Sequence, residues 1–270
     1  MSESTRQLAL VTGASSGIGL AYAQALARRG CDLILVGRRR ERLDALADEV
    51  RAAGARAEVV VADLGGAEGI AEVASLCRAR PLDLLVNNAG VGHYMRFAQL
   101  PPERLEELLQ VNTVAVVKLA RAALDGMLPR GRGAIINVSS LLAFSGPLRL
   151  PFLPMRAVYA GTKAFLVAFT QALAAELEGT GVKLQVVCPG VVVSEFQTRQ
   201  GMDMTGRPRM AVDDFVRASL ADLDAGVLVS IPPLEDLAAF GDVDAAQAKL
   251  FTQATRPTLA ARYASAVTGR

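Results

Sequence analysis

The amino-acid sequence predicts a doubly wound α/β fold, a parallel sheet of about seven strands with helices on both faces. Three observations carry that expectation. Short runs of Val, Ile and Leu recur with little polar alternation, as strands buried on both faces require. Longer stretches with helical periodicity separate them and supply the right-handed crossovers that join parallel strands. A glycine-rich turn stands directly between the first such strand and the first such helix, at the edge where open α/β sheets bind ligands.

Taken in order, "LALVT" (8–12) is the first strand, and a helix follows over 17–29. "DLILVG" (32–37) is the second, leading into a helix over "RRERLDALADEVRAAG" (39–54). "AEVVVAD" (57–63) is the third, with a helix ending near Arg80, and "LDLLVNNAG" (82–90) is the fourth. Helices over 102–110 and 113–128 precede "GAIINVSS" (133–140), and a helix from near Tyr159 to Glu178 precedes "KLQVVCPG" (183–190). The pattern weakens beyond Gly190, then recovers as a helix over 212–223 and a last short strand, "GVLVSI" (226–231). Residues 232–270 read as a helical tail without chemistry of its own. No linker, internal repeat or low-complexity block interrupts the chain. It is therefore read as a single domain, 1–270, whose loops at 91–100, 141–158 and 191–212 bind substrate.

Composition narrows the function. Hydrophobic residues make up 51% and charged ones 21% of 270 residues, ample for a two-sided core. A net charge of +2 with scattered basic residues leaves no footprint for nucleic acid or an anionic membrane. No signal peptide is legible in "MSESTRQLAL", and no run approaches the roughly 18 apolar residues of a membrane span. Cys31, Cys77 and Cys188 have no metal-type spacing and are expected to be buried, reduced thiols of a cytoplasmic protein. His93 is the single histidine, too few imidazoles for a His-based zinc site or a Ser-His-Asp hydrolase. No metal is expected, and proton transfer falls to another side chain.

The glycine-rich turn is "TGASSGIG", Thr12 to Gly19. Gly13, Gly17 and Gly19 permit a tight turn and close backbone approach to a pyrophosphate; Ser15, Ser16 and Ile18 complete the loop at the positive end of the helix. Sites that prefer NAD place a carboxylate at the end of the second strand, on the ribose diol. Here Gly37 holds that place, followed by Arg38 and Arg39. A guanidinium can hold a 2′-phosphate by forked charge-assisted hydrogen bonds, so NADP(H) is expected over NAD(H), through Arg38 first and Arg39 second. The alternative is that these arginines are only the solvated start of a helix. Asp63 with Leu64 is placed to meet the adenine, and Asn87, Ala89 and Gly90 the second ribose. Further on, "YAGTK" sets Tyr159 four residues before Lys163, hence on one helix face.

Together "TGASSGIG", "NNAG", "VNTVAVVKLARAAL", "INVSS", "YAGTK" and "PGVVVSEF" resemble the short-chain dehydrogenase/reductase family, in order from Leu8 to Phe196. The resemblance implies a Rossmann fold and an NAD(P)-dependent oxidoreductase, acting on a ketone or aldehyde and its alcohol. It implies Tyr159 as general acid/base, Lys163 as the residue that binds the nicotinamide ribose and lowers the phenol's pKa, Ser140 as the hydroxyl that polarises the carbonyl, and Asn112 as the prop for a relay water. Pro189, Gly190, Val192 and Ser194 fall at the nicotinamide end, Ser194 where the family often has Thr. It also implies a homo-oligomer, tetramer or dimer, built through the helices at 113–128 and 159–178. Physical chemistry agrees that an ammonium and a helix N-terminus favour phenolate in a side chain that otherwise titrates at about 10. Ser139 remains the rival to Ser140, and Asn112 can also be read as a helix N-cap. A catalytically silent dinucleotide-binding sensor or scaffold is the alternative function, although such proteins usually lose Tyr, Lys or Ser.

The sequence departs from the family between Ser140 and Tyr159, where "LLAFSGPLRLPFLPMRAV" is longer than in many members. Pro147, Pro151 and Pro154 resist regular structure. Tethered at both ends by catalytic groups, the segment is expected to form an apolar substrate wall with Phe144 and Phe152, or else a packing or subunit-contact loop. His93, Tyr94 and Phe97 leave the fourth strand and are expected to face substrate, a small hydrophobic carbonyl or alcohol.

Overall fold

The computed structural model describes residues 6–236 and 238–263. The chain divides into two compact units, Met1–Pro233 and Leu234–Arg270. The first unit holds a seven-stranded parallel sheet: β1 Leu8–Thr12, β2 Asp32–Gly37, β3 Ala57–Val61, β4 Leu84–Asn87, β5 Gly133–Val138, β6 Val182–Val187 and β7 Val229–Ser230, in the order β3-β2-β1-β4-β5-β6-β7. This is the doubly wound Rossmann arrangement. The order reverses between β1 and β4, so that loops leaving the two strands diverge and open a crevice at their carboxyl ends.

Helices α1 Gly17–Arg28, α2 Arg40–Ala52, α3 Ala67–Ala79, α4 Pro102–Leu109, α5 Ala115–Arg130, α6 Ala157–Glu176, α7 Glu195–Arg199 and α8 Val212–Asp224 belong to the same unit. Two buried clusters flank the sheet. One joins Val11, Leu35 and Val86 to Tyr22, Leu43 and Phe215 of α1, α2 and α8. The other joins Leu10, Ile34 and Leu85 to Ile70, Val73, Leu119 and Met127 of α3 and α5. Alternate strand residues therefore face opposite helix layers, which is why the strands read as unbroken apolar runs. Each such side chain, fully buried, contributes about 1.5–3 kcal/mol.

Two expectations change. Residues 110–114 do not separate two helices: Gln110–Val114 forms a π turn that runs α4 into α5. And α6 is, by length and composition, apolar enough to cross a membrane, with a mean hydropathy of 1.2. In this fold it is a core helix, burying Tyr159, Lys163, Leu166 and Thr170.

The second unit contains α9 Ala238–Ala254, none of whose described residues is buried, and a short 3-10 turn at Ala261–Tyr263. Residues 264–270 of the expected tail lie outside the described residues, as do residues 1–5.

Candidate active site

The turn after β1 is tied to the end of β4 through Thr12 and Asn88. Thr12 donates its hydroxyl to the Val86 carbonyl (3.2 Å) and accepts from the backbone N–H groups of Asn88 and Ala89 (3.0 Å each). The Asn88 amide returns a bond to the Thr12 carbonyl (2.9 Å). Gly13 takes φ +67°, and a Cβ there would stand 2.8 Å from the Asn88 amide. At Gly19 a Cβ would meet the Gly13 carbonyl oxygen at 2.4 Å. Gly19 is thus a packing glycine behind the loop, while Gly13, Ser15, Ser16, Gly17 and Ile18 line the crevice. The cradle of this turn over the α1 N-terminus suits a pyrophosphate.

Arg39 lies across this loop. Its guanidinium donates to Ser15 Oγ (3.1 and 2.9 Å), the Ser15 carbonyl (3.1 Å), Ser16 Oγ (2.7 Å) and Glu195 (3.3 Å). Arg38 is more open, its side chain 56% exposed, and pairs with Glu107 (3.5 Å) and Asp63 (3.8 Å). Glu195 is shared with Arg42 and Arg199; the bond with Arg42 leads the causes that hold its carboxyl down at about 2. Asp63 and Leu64 line the crevice beside Arg38, with Asp63 accepting from the Gly65 N–H (2.9 Å).

The residues expected for catalysis converge on the end of β5. Ser140 Oγ accepts from the Leu142 N–H (3.1 Å) and pairs with the Tyr159 phenol. Ser139 instead donates to the Lys163 carbonyl (2.7 Å) and so supports α6. Lys163 Nζ donates to the Val138 carbonyl (2.9 Å) and stands 5.8 Å from the Tyr159 ring centroid. A Cβ on Gly90 would meet Lys163 Nζ at 3.5 Å; the bare glycine keeps this corner open. Burial pulls the Lys163 ammonium down to about 8, with Cys188 acting in the other direction.

The phenol differs from expectation. Burial raises Tyr159 above its ordinary value, and the groups that pull it back are hydrogen-bond partners, Ser140 and Tyr94, rather than Lys163. With Tyr159 only 6% exposed, loss of hydration is the largest influence on it.

Asn112 is not a helix N-cap. Fully buried in the π turn, it accepts from the Val91 N–H (3.0 Å) and donates to the Val91 carbonyl (3.0 Å) and to Thr162 Oγ1 (3.2 Å). It stands behind the crevice wall. Asn87 also points away, donating to Asn137 (3.0 Å) in a core network, and it is Asn88 that lines the crevice with Ala89 and Gly90. Pro189, Gly190, Val192 and Ser194 line the opposite side. Ser194 caps α7 by accepting from the Phe196 N–H (3.3 Å).

These groups share one cleft of about 970 Å³ that runs from Arg38 past the glycine loop to Tyr159. His93, Tyr94, Leu148, Leu150 and Phe152 line its outer part; Phe144 and Phe97 do not, and Phe97 is 63% exposed. The long segment after Ser140 is organised by Arg156, which donates to Ser145 Oγ (2.7 Å), the Ser145 carbonyl (2.6 Å) and the Pro154 carbonyl (3.1 Å). His93 bonds Glu107 (2.7 Å), and its N–H donates to Gln200 Oε1 (2.6 Å), tying the 91–100 loop to the 191–212 loop. Sequence reading missed Arg156 and Gln200, which no periodicity or short motif marks, and it gave no role to Glu195 and Phe196 at the end of "PGVVVSEF".

A family model described as short chain dehydrogenase matches residues 7–204. An uncharacterized oxidoreductase of Myxococcus xanthus is 40% identical over 206 residues, 76% of this chain and 79% of that protein. Three other curated relatives are longer, the chain spanning 60% to 66% of them. Among solved structures, a short-chain dehydrogenase from Sphingobium yanoikuyae in complex with NADPH superposes with a TM-score of 0.90 at 37% identity, over 95% of this chain and 100% of that one. A bulky-bulky ketone specific alcohol dehydrogenase from Comamonas testosteroni gives 0.86 at 34% identity, over 95% and 98%.

Proposed function

The chain belongs to the short-chain dehydrogenase family, and from that premise we propose that it is an NADP(H)-dependent oxidoreductase interconverting a bulky hydrophobic ketone or aldehyde and its alcohol. One observation carries the reading: a single cleft joins the arginine-crossed glycine loop to Ser140, Tyr159 and Lys163. The apolar outer wall, with Leu148, Leu150 and Phe152, favours a hydrophobic substrate. The NADPH-bound and bulky-ketone relatives point the same way.

Gly13, Gly17 and the α1 N-terminus would hold the pyrophosphate, Arg39 and Arg38 the 2′-phosphate, and Lys163 the nicotinamide ribose. Bound NADP(H) supplies or accepts the hydride. Ser140 donates its hydroxyl proton toward the substrate oxygen as negative charge develops there. Tyr159 delivers the proton in reduction and takes it back in oxidation. Lys163, fixed on the Val138 carbonyl, keeps two further N–H donors for sugar hydroxyls.

We place the protein in a reducing cytoplasm on its three free, buried cysteines. The homo-oligomer interface falls on α5 and α6. The function is tested by following nicotinamide absorbance with NADPH and a panel of bulky ketones and aldehydes. Turnover is expected for the wild type and loss of most turnover, with NADPH binding retained, for Tyr159→Phe. Tight NADPH binding without reduction of any carbonyl would instead indicate a silent sensor.

A further inference from the structure

Tyr94 lies against the catalytic phenol in a way the function so far does not use. Its ring meets Tyr159 edge-on, with centroids 5.1 Å apart and planes at 79°, and meets Phe196 of α7 at 6.3 Å. The edge-on contact sets the two hydroxyls as partners, and burial keeps the Tyr94 phenol protonated. A phenolate oxygen only accepts, so whenever Tyr159 is ionised Tyr94 is the donor to it. Its backbone is held as well: the preceding His93 is the one non-glycine residue with positive φ among the described residues, at +48°. That conformation is held by the bonds of its N–H to Gln200 and of its ring to Glu107. Strained backbone held from both sides beside a reacting group is the setting in which a side chain is aimed rather than merely packed.

The other groups facing Tyr159 are few. Ser140 comes from the end of β5, Lys163 from one turn further along α6, and Phe196 from α7. The ammonium is itself dehydrated and occupied with Val138. A phenol oxygen can accept a hydrogen bond while its own proton remains free to donate.

We propose that Tyr94 is a positioning residue for proton transfer: its hydroxyl, donating to Tyr159, orients the catalytic phenol and stabilises it as phenolate. This rests on Tyr159 being the general acid/base. In alcohol oxidation Tyr159 must be ionised to accept the proton, so the rate rises with pH through its titration. Removing the Tyr94 hydroxyl makes the phenolate less favourable, and the rising limb moves to higher pH.

Tyr94→Phe keeps the ring against Phe196 and removes only the hydroxyl. With a bulky aryl ketone and its alcohol as probes, kcat is expected to fall about tenfold, with KM within about twofold and the oxidation limb displaced upward by about one pH unit. Ring-labelled tyrosine NMR of the cofactor-free protein should show Tyr159 titrating at higher pH in the variant, a readout independent of turnover. An unmoved pH profile with unchanged kcat, whatever KM does, reduces Tyr94 to a wall residue and overturns the inference. Tyr159→Phe in the same assay separates the two levels. If it still turns over, the acid/base reading fails and this inference with it; if it is inactive while Tyr94→Phe behaves as wild type, only the inference fails.

Discussion

Arg38 and Arg39 are adjacent and chemically identical, yet they meet different surroundings. Arg39 is only 31% exposed in its side chain and spends its guanidinium on Ser15, Ser16 and Glu195, whereas Arg38 stands over Asp63 and Glu107. The loop-facing arginine is the better placed for a 2′-phosphate beside the pyrophosphate cradle. Arg39→Ala is therefore expected to weaken NADPH by roughly 1.5–3 kcal/mol, tenfold to a hundredfold, and NADH much less. A Cβ at Gly37 would lie 3.5 Å from Ser15 Oγ and Leu43, ordinary contact, so an acid fits there. Gly37→Asp combined with Arg39→Ala should invert the preference, since a carboxylate accepts from a ribose diol and repels a phosphate. Isothermal titration of both cofactors decides: wild type binding NADH as tightly as NADPH would refute the assignment.

The π turn that carries α4 into α5 shows how an element can serve the site without touching substrate. It buries Asn112, whose amide satisfies both backbone groups of Val91 and so anchors the loop that presents His93 and Tyr94. Asn112→Ala takes both partners from the partly buried N–H and carbonyl of Val91, at a cost of up to about 1–3 kcal/mol. The expected result is a lowered urea midpoint together with slower turnover; full stability with slow turnover would favour a purely relay role. The strands and the glycine turn were legible in the sequence because their causes are local: apolar runs, a breaker, a charged helix start. The same holds for Tyr159 and Lys163, one helical turn apart. The His93–Gln200 bond joins residues 107 positions apart, and Arg156 acts on carbonyls of a loop with no regular period. Such partners depend on how finished elements meet, and a linear pattern carries no trace of that.

At the scale of the molecule, α6 has two faces. One packs Tyr159, Lys163, Leu166 and Thr170 inward; the other exposes Gly161, Phe165, Ala168, Ala172 and Ala175, spaced alternately four and three residues apart. Such a stripe lets another helix approach closely, in the manner of a coiled-coil seam. Phe165 is 43% exposed and stacks on Phe169 at 5.8 Å, its outer ring face available to a partner. A second copy related by a two-fold axis would set the stripe against itself, which is the self-complementarity closed symmetric dimers need. Stable interfaces bury at least about 1,000 Å², more than one small-residue stripe supplies, so neighbouring α5 is expected to contribute. Sedimentation at micromolar concentration should then give a dimer or tetramer. Phe165→Glu with Ala168→Arg should lower the mass while NADPH binding persists, because neither side chain reaches the cleft. A wild-type monomer, or a double variant of unchanged mass, would move the interface elsewhere.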